Sequence, residues 1–312
     1  MVYKKIRTYR RGYLDVGDGH KLYYDLSGNP KGKPVLFLHG GPGGGSSSKD
    51  KRFFNPKIFN IIIFDQRGSG ESKPSASIEN NTTFKLVGDI KKLLEFLGIK
   101  KVILFGGSWG STLALVYAIN YPETVKAMVI RGIFLGTEED EDYFINQARY
   151  MYPEVWEEMT SLVPKNKRNN IEGYYFGKAT SNNKKTRNKF LFNWAKYEFS
   201  ISKLEYSKDK VVNVMKDIRI PAFSLIELYY LVNHCFLPKD YIMNNLHKIE
   251  NIPVSIVHGR YDCVCIPSDA YKLHKALKKS RLYFTFGGHS ASDKDTESRL
   301  VKEMDRFGKL KL

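Results

Sequence analysis

Short apolar runs alternate with amphipathic stretches along the first 135 residues of the chain. Between the last three of these runs lie two stretches that predict helices: 82–97, in which apolar residues recur at three- and four-residue spacing, and 109–120, which stops near Pro122. Such alternation predicts a mostly parallel, doubly wound sheet. The runs have the character of buried strands, and each ends in Gly, His or Asp: 34–39, 60–65, 101–106 and 126–132.

Two further patterns set the boundaries of this fold. The sequence Gly17-Asp18-Gly19-His20 lies between two strand-like runs and predicts an antiparallel hairpin at the sheet edge. The strand–helix alternation stops over 137–246, where the pattern is helical with aromatic clusters, and it resumes with strands over 253–258 and 281–286. We therefore expect an α/β core formed by 1–136 and 247–312, interrupted by a helical cap at 137–246.

Composition places the chain among ordinary globular proteins. Of its 312 residues, 42% are hydrophobic and 27% charged. Apolar runs such as 61–64 are far shorter than the roughly 18 residues of a membrane span, so no membrane contact is expected. The N-terminus lacks an apolar segment typical of a secretory signal. Three cysteines are too few, and odd in number, for a disulfide framework, so we expect a reducing compartment, most simply the cytoplasm.

The net charge is strongly positive, at +17 from 50 basic and 33 acidic residues. Contact with nucleic acid or anionic membrane is one interpretation, and a lysine-rich solvated surface is the other. The basic residues are spread along the chain, so we favour the second and expect no nucleic-acid partner. The densest stretch, 165–189, holds eight basic residues against the single acid Glu172, and it is interpreted as exposed loop or helix surface.

The segment Gly106-Gly107-Ser108-Trp109-Gly110 fits the pattern G-x-S-x-G. It follows a predicted strand and opens a predicted helix, which is the context of a nucleophile elbow. Glycines around the serine tolerate the strained turn and let its hydroxyl project above the sheet edge. The pattern predicts Ser108 as the nucleophile.

The partners of such a serine follow in the chain order Ser, Asp, His, after later strands. Asp262 comes just past the strand 253–258, and His289 just past the strand 281–286. A lone loop Asp or His is usually incidental, but both occur here in the right order. His289 is the predicted general base, and Asp262 is predicted to hold its tautomer and stabilise its charged form.

Two backbone N–H groups are candidates for an oxyanion hole. The N–H of Trp109 directly follows the nucleophile, and the loop 39–45, rich in glycine, follows the first strand of the core. Within that loop Gly41 is the best single candidate. A phosphate cradle is disfavoured because no Lys-Ser/Thr pair follows the glycines.

Two acids in the cap stand out. On a helix, Trp194, Tyr197 and Glu198 share one face, and Glu227 is the only charge in the segment 221–232. A carboxylate is almost never buried unpaired. One explanation is a salt bridge within the protein, for instance to Arg131 or Arg67, and the other is a paired-carboxylate site for a cationic group of a substrate.

Taken together, the chain resembles the proline iminopeptidases of the α/β-hydrolase superfamily, from about residue 17 to about residue 292. The combination of motifs is much more specific than the serine elbow alone. The motifs are HGGPGGG at 39–45, DQRGSGES at 65–72, GGSWGSTLAL at 106–115, RGIF at 131–134, GRYD at 259–262 and GHS at 288–290.

This resemblance implies an exopeptidase that removes an N-terminal proline. In the family, two cap glutamates hold the charged terminal nitrogen of the substrate, and Glu198 in WAKYE and Glu227 after Ile226 match their positions. The residues after Glu227 (LYYL) depart from the family pattern. Phe134 and Phe144 match aromatics that line the proline pocket. Cys265 matches a cysteine near the triad, which would explain sensitivity to thiol reagents without a catalytic thiol.

The sequence therefore predicts a serine exopeptidase that forms a prolyl-enzyme at Ser108 and needs no cofactor or metal. A metal site at Cys263 and Cys265 is disfavoured because no second pair of ligands is apparent. The alternatives are an esterase or amidase of broader specificity, since this fold hosts many chemistries, and a binding protein that kept the hydrolase fold.

Overall fold

A computed structural model of the protein describes residues 2–205 and 207–310. Its described strands form one eight-stranded sheet in the order β1-β2-β4-β3-β5-β6-β7-β8. The pairs β1–β2 and β2–β4 are antiparallel, and all the others are parallel. The strands are β1 (Thr8–Gly17), β2 (His20–Gly28), β3 (Lys33–Leu38), β4 (Phe59–Phe64), β5 (Val102–Ser108), β6 (Val125–Ile133), β7 (Val254–Gly259) and β8 (Ser280–Thr285).

The doubly wound sheet and the edge hairpin that the sequence predicts are both confirmed. Residues Asp18 and Gly19 join β1 to β2 with φ angles of 56° and 76°, the left-handed backbone that a two-residue hairpin turn needs. The parallel strands are rich in Val and Ile, and β5 and β7 are buried along their whole length. Such strands need helices on both faces of the sheet, which explains the alternation along the chain.

Helices cover both faces of the sheet and form the inserted segment. Those of the core are α1 (Thr83–Phe96), α2 (Trp109–Asn120), α10 (Pro267–Ala276) and α11 (Lys294–Lys309). Between β6 and β7 lie α3 (Glu138–Asn146), α4 (Pro153–Thr160), α5 (Ile171–Ala179), α6 (Lys184–Ile201), α7 (Lys208–Lys216), α8 (Ile220–Leu231) and α9 (Tyr241–Asn245).

The described strands all lie within 1–136 and 247–312, and the segment expected to form the cap is helical. This segment begins with a capping box, in which the Thr137 hydroxyl accepts from the Asp140 N–H while the Asp140 carboxylate accepts from the Thr137 N–H. The basic stretch 165–189 forms short helices and turns on its surface, and most of its lysines are exposed.

Helix α8 belongs to two hydrophobic cores at once. Ile226 and Tyr230 pack in the core above the sheet, and the Tyr230 ring lies 4.8 Å from that of Trp109 at the start of α2. Leu228 and Leu231, on its other side, pack in the separate core of the cap. Helix α8 therefore packs on the cap and on the sheet at once and connects the two.

Among the described residues, no single helix is long and apolar enough to cross a membrane. Only α8 taken together with the segment His234–Ile249, which is bent by 79° against it, passes that test by length and composition.

Candidate active site

Ser108 is the last residue of β5, and α2 begins at the next residue. Its φ and ψ angles of 57° and −130° are strained for a residue with a side chain, as a nucleophile elbow requires. The neighbouring glycines make this turn possible, because a Cβ at Gly106 would lie 2.1 Å from the Gly110 oxygen, and one at Gly110 would lie 2.1 Å from the Leu38 oxygen. Ser108 is buried but lines the main cleft of the molecule.

Asp262 and His289 lie together beside this elbow. The Asp262 Oδ2 is 2.8 Å from the His289 Nδ1, and its Oδ1 accepts from the N–H groups of Val264 and Cys265 at 2.9 and 2.8 Å. Burial acts to raise the pKa of the Asp262 carboxyl, but the His289 imidazole and these hydrogen bonds hold that pKa below its ordinary value. An ionised Asp262 is thus able to orient His289 and to stabilise its charged form.

A second buried histidine, His258, supports Asp262 from the end of β7. Its Nδ1 accepts from the Ile133 N–H at 3.1 Å, so its Nε2 carries the proton and donates to the Cys265 oxygen at 3.1 Å. The same Nε2 lies 3.4 Å from the Asp262 Oδ2. Burial lowers the pKa of His258, which keeps it neutral. The motifs in the sequence assign no role to this residue, although a histidine at the end of a buried strand is a signal for one.

Arg131, on β6, holds the other side of His289. Its Nη1 donates to the His289 oxygen at 2.8 Å and lies 3.2 Å from the His289 Nε2. Since a guanidinium has only donors, this contact requires an unprotonated Nε2, and the ring proton then lies on Nδ1 toward Asp262. That is the tautomer of a general base. A charge near the end of a mostly apolar strand is the sequence signal for this residue.

The two predicted oxyanion donors flank Ser108. Trp109 is the first residue of α2, and its buried indole donates to Gln66 at 2.9 Å, which fixes the backbone next to the nucleophile. The loop after β3 passes close to the serine, because a Cβ at Gly40 would lie 3.2 Å from the Ser108 Cβ. Gly40 and Gly41 both line the cleft, and Gly41 has a φ of 110°, which favours glycine.

The two cap acids, Glu198 on α6 and Glu227 on α8, meet in a hydrogen bond to each other. Their exposed fractions are only 6% and 5%. The Glu227 Oε2 also accepts from the Trp194 indole at 2.6 Å, whereas the Glu198 Oε2 is buried with no partner among the described residues. Burial raises the pKa of both carboxyls, and the proximity of Glu198 raises that of Glu227 further.

This arrangement excludes one of the two explanations that the sequence left open. Within the described ranges, neither glutamate has a basic side chain within 4.0 Å, so the salt bridge to Arg131 or Arg67 is wrong. Arg67 instead binds Asp89 and Asp18, at 2.6 and 2.9 Å. The Glu198–Glu227 pair is therefore a buried acidic site whose positive neighbours, Arg131 and His289, act on Glu198 only from beyond ion-pair distance.

Aromatic side chains surround this pair. The Phe144 ring lies 5.8 Å from that of Trp194 and 5.6 Å from that of Tyr197. Phe134 packs at the junction between the core of the sheet and that of the cap. Phe144 therefore lies against the indole that binds Glu227, and its role in a proline pocket, like that of Phe134, stays a prediction.

Cys265 completes the surroundings of Asp262. In the part of the chain that the structure describes, one group of three potential metal ligands has its ligand atoms within 4.8 Å of one another, namely Asp262, Cys265 and His289. The Asp262–His289 hydrogen bond accounts for this proximity. Burial raises the pKa of the Cys265 thiol well above its ordinary value, so the group is neutral and a poor nucleophile.

Four of these side chains line one cleft of about 530 Å³, which we call the active-site cleft: Ser108, Arg131, Glu198 and His289. Residues of both the core and the cap line it. The His289 loop is tied to the end of α6 by a 2.8 Å hydrogen bond from the Ser290 N–H to the Ser202 oxygen. The serine, the base and Glu198 can therefore act on one bound molecule, and Glu227 lies behind Glu198 as its neighbour.

Comparison with known proteins gives the class of this protein first. A family model described as alpha/beta hydrolase fold matches residues 33–295, which cover most of the sheet and the cap. A solved structure of MGS-M2, an alpha/beta hydrolase enzyme from a deep-sea metagenome library, is similar with a TM-score of 0.67 at 18% identity, over 96% of this chain and 98% of that one. Fold, elbow and triad geometry thus agree that the protein is an α/β hydrolase.

Curated relatives are more specific. The chain is 41% identical to a proline iminopeptidase of Arabidopsis thaliana over 304 residues, 96% of this chain and 80% of that protein. It is 40% identical to a proline iminopeptidase of Xylella fastidiosa over 309 residues, 98% of this chain and 99% of that protein. The chain belongs to the proline iminopeptidase family, as its sequence motifs predict.

Proposed function

We propose that this protein is a serine exopeptidase that releases proline from peptides with a free N-terminus. The observation that carries the proposal is the buried Glu198–Glu227 pair, whose Glu198 lines the same cleft as Ser108 and His289. A charged terminal nitrogen is the cation that this site fits. Its hydrogen bonds to carboxylates are each worth roughly 1.5–3 kcal/mol.

The reaction follows from the triad. The Ser108 Oγ attacks the carbonyl carbon of the first residue while His289 takes its proton, and Asp262 stabilises the resulting imidazolium. The N–H groups of Gly41 and Trp109 are proposed to stabilise the oxyanion. His289 then protonates the leaving amine as the C–N bond breaks, and water hydrolyses the prolyl-enzyme by the same route.

The acidic pair also explains why cleavage would fall after the first residue only. An internal proline carries no charge and would leave two buried carboxylates without a cation, which is unfavourable. A charged nitrogen bound by both glutamates fixes the distance between the chain end and Ser108. Phe134 and Phe144 are proposed to contact the pyrrolidine ring.

The decisive experiment is a kinetic comparison of the anilides of proline, alanine and hydroxyproline, each with a free and a blocked N-terminus. We expect the free proline anilide to have the highest kcat/KM and the blocked forms to be inert. Equal turnover of blocked and free substrates, or of short esters, would show a broader esterase or amidase instead.

We also propose that the enzyme works in a reducing compartment, most simply the cytoplasm. The support is that Cys235, Cys263 and Cys265 are all free and buried. Fractionation of the source cells with an antibody against the protein would test this, and recovery outside the cytoplasm would contradict it.

A further inference from the structure

Beyond Ser108, Glu198 and His289, the active-site cleft is lined by further residues of the cap and of the core. The cap contributes both polar residues and a group of apolar ones, and we call the apolar group the cap wall. The side formed by the core, which we call the core wall, carries charged and hydroxyl side chains. The cap wall includes Phe199, Val211, Val214, Ile218 and Phe223, and the core wall includes Ser47, Asp50 and Arg52.

The cap wall is a firm surface. The rings of Phe199 and Phe223 stack at 5.1 Å, and both pack in one small cluster with Val211 and Met215. Phe223 is itself fixed by the glycine-rich loop, since a Cβ at Gly43 would lie 3.1 Å from the Phe223 Cα. Val214, on the same helix as Val211, lines the cleft and is 37% exposed. The cap wall therefore adjoins the loop 39–45, whose Gly40 lies beside Ser108.

The binding of the N-terminus determines where the leaving part of a peptide, from its second residue onward, must lie. If its charged nitrogen is bound at Glu198 and Glu227 and its first carbonyl lies at Ser108, the second residue must extend along the remainder of the cleft. Successive side chains of an extended peptide point to opposite sides. One of the first two leaving residues consequently faces the cap wall.

We infer that the cap wall is the binding subsite for the second residue of the substrate, and that it selects peptides whose second residue is a branched or aromatic apolar one. This inference rests on the proposed exopeptidase function and names its substrate class more closely. Burial of one such side chain against the wall predicts a gain of roughly tenfold in kcat/KM over glycine.

The charges at the rim of the cleft do not favour a charged second residue. Lys49 and Lys210 lie 3.6 Å from Asp217 and Glu205, in exposed pairs. Side chains of both charges line the cleft: Lys203 and Arg52 are basic, and Asp50 and Glu297 are acidic. Because neither sign dominates, the apolar wall is the feature that distinguishes one leaving residue from another.

Two substitutions on α7 make a matched test. Val214 lines the cleft, whereas Val212, which is 44% exposed on the same helix, does not line it. We would measure kcat/KM of the wild type, Val214→Asp and Val212→Asp for the amides of Pro-Leu, Pro-Phe and Pro-Gly, and for prolinamide, which has no second residue. Val214→Ser, which adds no charge, checks that the effect is one of apolar contact.

In the wild type we expect Pro-Leu-amide and Pro-Phe-amide to exceed Pro-Gly-amide by about tenfold. Val214→Asp should abolish this preference and Val214→Ser should reduce it, while both leave prolinamide within about twofold of wild type. Val212→Asp should behave as wild type with every substrate. Thermal unfolding of each variant shows whether α7 remains folded.

The outcomes separate the two proposals. If no substrate with a free N-terminal proline is cleaved, the exopeptidase function itself is wrong. If prolinamide and the dipeptide amides are cleaved but leucine, phenylalanine and glycine perform equally, only the subsite is wrong. An equal loss in Val212→Asp and Val214→Asp would also overturn the subsite, because it would reflect the stability of α7.

Discussion

The core and the cap build their halves of the site in different ways. In the core, the Asp262 carboxylate is held by two backbone N–H groups and an imidazole, and Ser108 is held by the junction of a strand and a helix. In the cap, Glu198 and Glu227 come from two separate helices and have each other and the Trp194 indole. Local backbone geometry thus sets the chemistry, whereas a long-range contact between side chains sets the recognition.

The two regions also differ in charge. The cap residues 137–246 include 16 basic and 15 acidic side chains, whereas the remainder of the chain has 34 and 18. The basic stretch 165–189 is therefore balanced within the cap, in part by the acids that open α3. The net charge of +17 resides almost entirely in the core, so it says little about how the cap selects a substrate.

The strongest way to break the core half is to remove its nucleophile. Ser108→Ala should lower kcat for proline anilide by at least about ten-thousandfold, because no acyl-enzyme can form. The midpoint of thermal unfolding should stay within about 2 °C of wild type, since a small side chain replaces another. Residual turnover above about one ten-thousandth, in protein free of wild type, would contradict covalent catalysis at this residue.

Breaking the cap half should cost less and should spare the chemistry. Glu198→Gln and Glu227→Gln should each lower kcat/KM for free proline anilide by about a hundredfold, because a charge-assisted bond is lost. Labelling of Ser108 by a small fluorophosphonate should remain within about threefold of wild type. Glu158→Gln, on the cap surface, is the control, and unchanged kinetics in both cap variants would show that these glutamates do not bind the substrate.

Substitution of His258 tests how far catalysis by the core half depends on the residue that supports Asp262. His258→Phe keeps the ring but leaves Asp262 without one of its neighbours, so we expect kcat to fall by about tenfold with KM nearly unchanged. His258→Gln, which can still donate to the Cys265 oxygen, should recover part of the loss. His274→Gln on α10 is the matched control, and an equal change in KM and kcat would indicate a general distortion instead.

A fall in pH should weaken substrate binding by the cap half of the site without any substitution. Burial raises the pKa of Glu198 and Glu227, so the pair takes up protons at a pH where exposed glutamates are ionised. A neutral pair cannot hold an ammonium, and KM should rise as pH falls through that raised pKa, by at most about tenfold per pH unit. KM profiles of wild type and Glu227→Gln would show this, and a wild-type KM independent of pH between 5 and 8 would contradict it.

The smallest effect is expected where α3 of the cap meets α10 of the core. Burial and the neighbouring Asp269 on α10 raise the pKa of Asp140 on α3 well above its ordinary value. A raised carboxyl pKa in the folded state means that stability falls as pH rises from about 4, where the unfolded chain ionises first. Asp140→Asn should therefore raise the unfolding midpoint by about 2 °C at pH 8 and by less near pH 4. An equal shift at both pH values would exclude the raised pKa of Asp140 as its cause.

The sequence predicts the sheet well, and the same strands are the reason why it points to the core half of the site. Ser108, Asp262 and His289 each follow a strand, and the carboxyl ends of parallel strands meet at one edge of the sheet. The predicted strands agree with the observed ones within two residues, because buried strands carry a continuous apolar run.

The cap half could not be predicted from periodicity in the same way. Residue pattern alone left Arg67 and Arg131 as possible partners of its acids, since nothing local to Glu198 or Glu227 says which helix lies opposite. The structure gives Arg67 to Asp89 and places Arg131 against His289. Family resemblance, which carries long-range information, is what identified the glutamates as a pair.

The double membership of α8 has a consequence for how the enzyme measures its substrate. Glu227 lies on the helix whose Tyr230 packs against Trp109, the residue beside the nucleophile. The distance between the bound chain end and the reacting carbonyl is thus set by a single helix, α8, that packs on the sheet. Replacement of α3 to α7 would change which side chains fit the cleft. The distance set by α8 would stay the same, and so would the removal of a single residue per encounter.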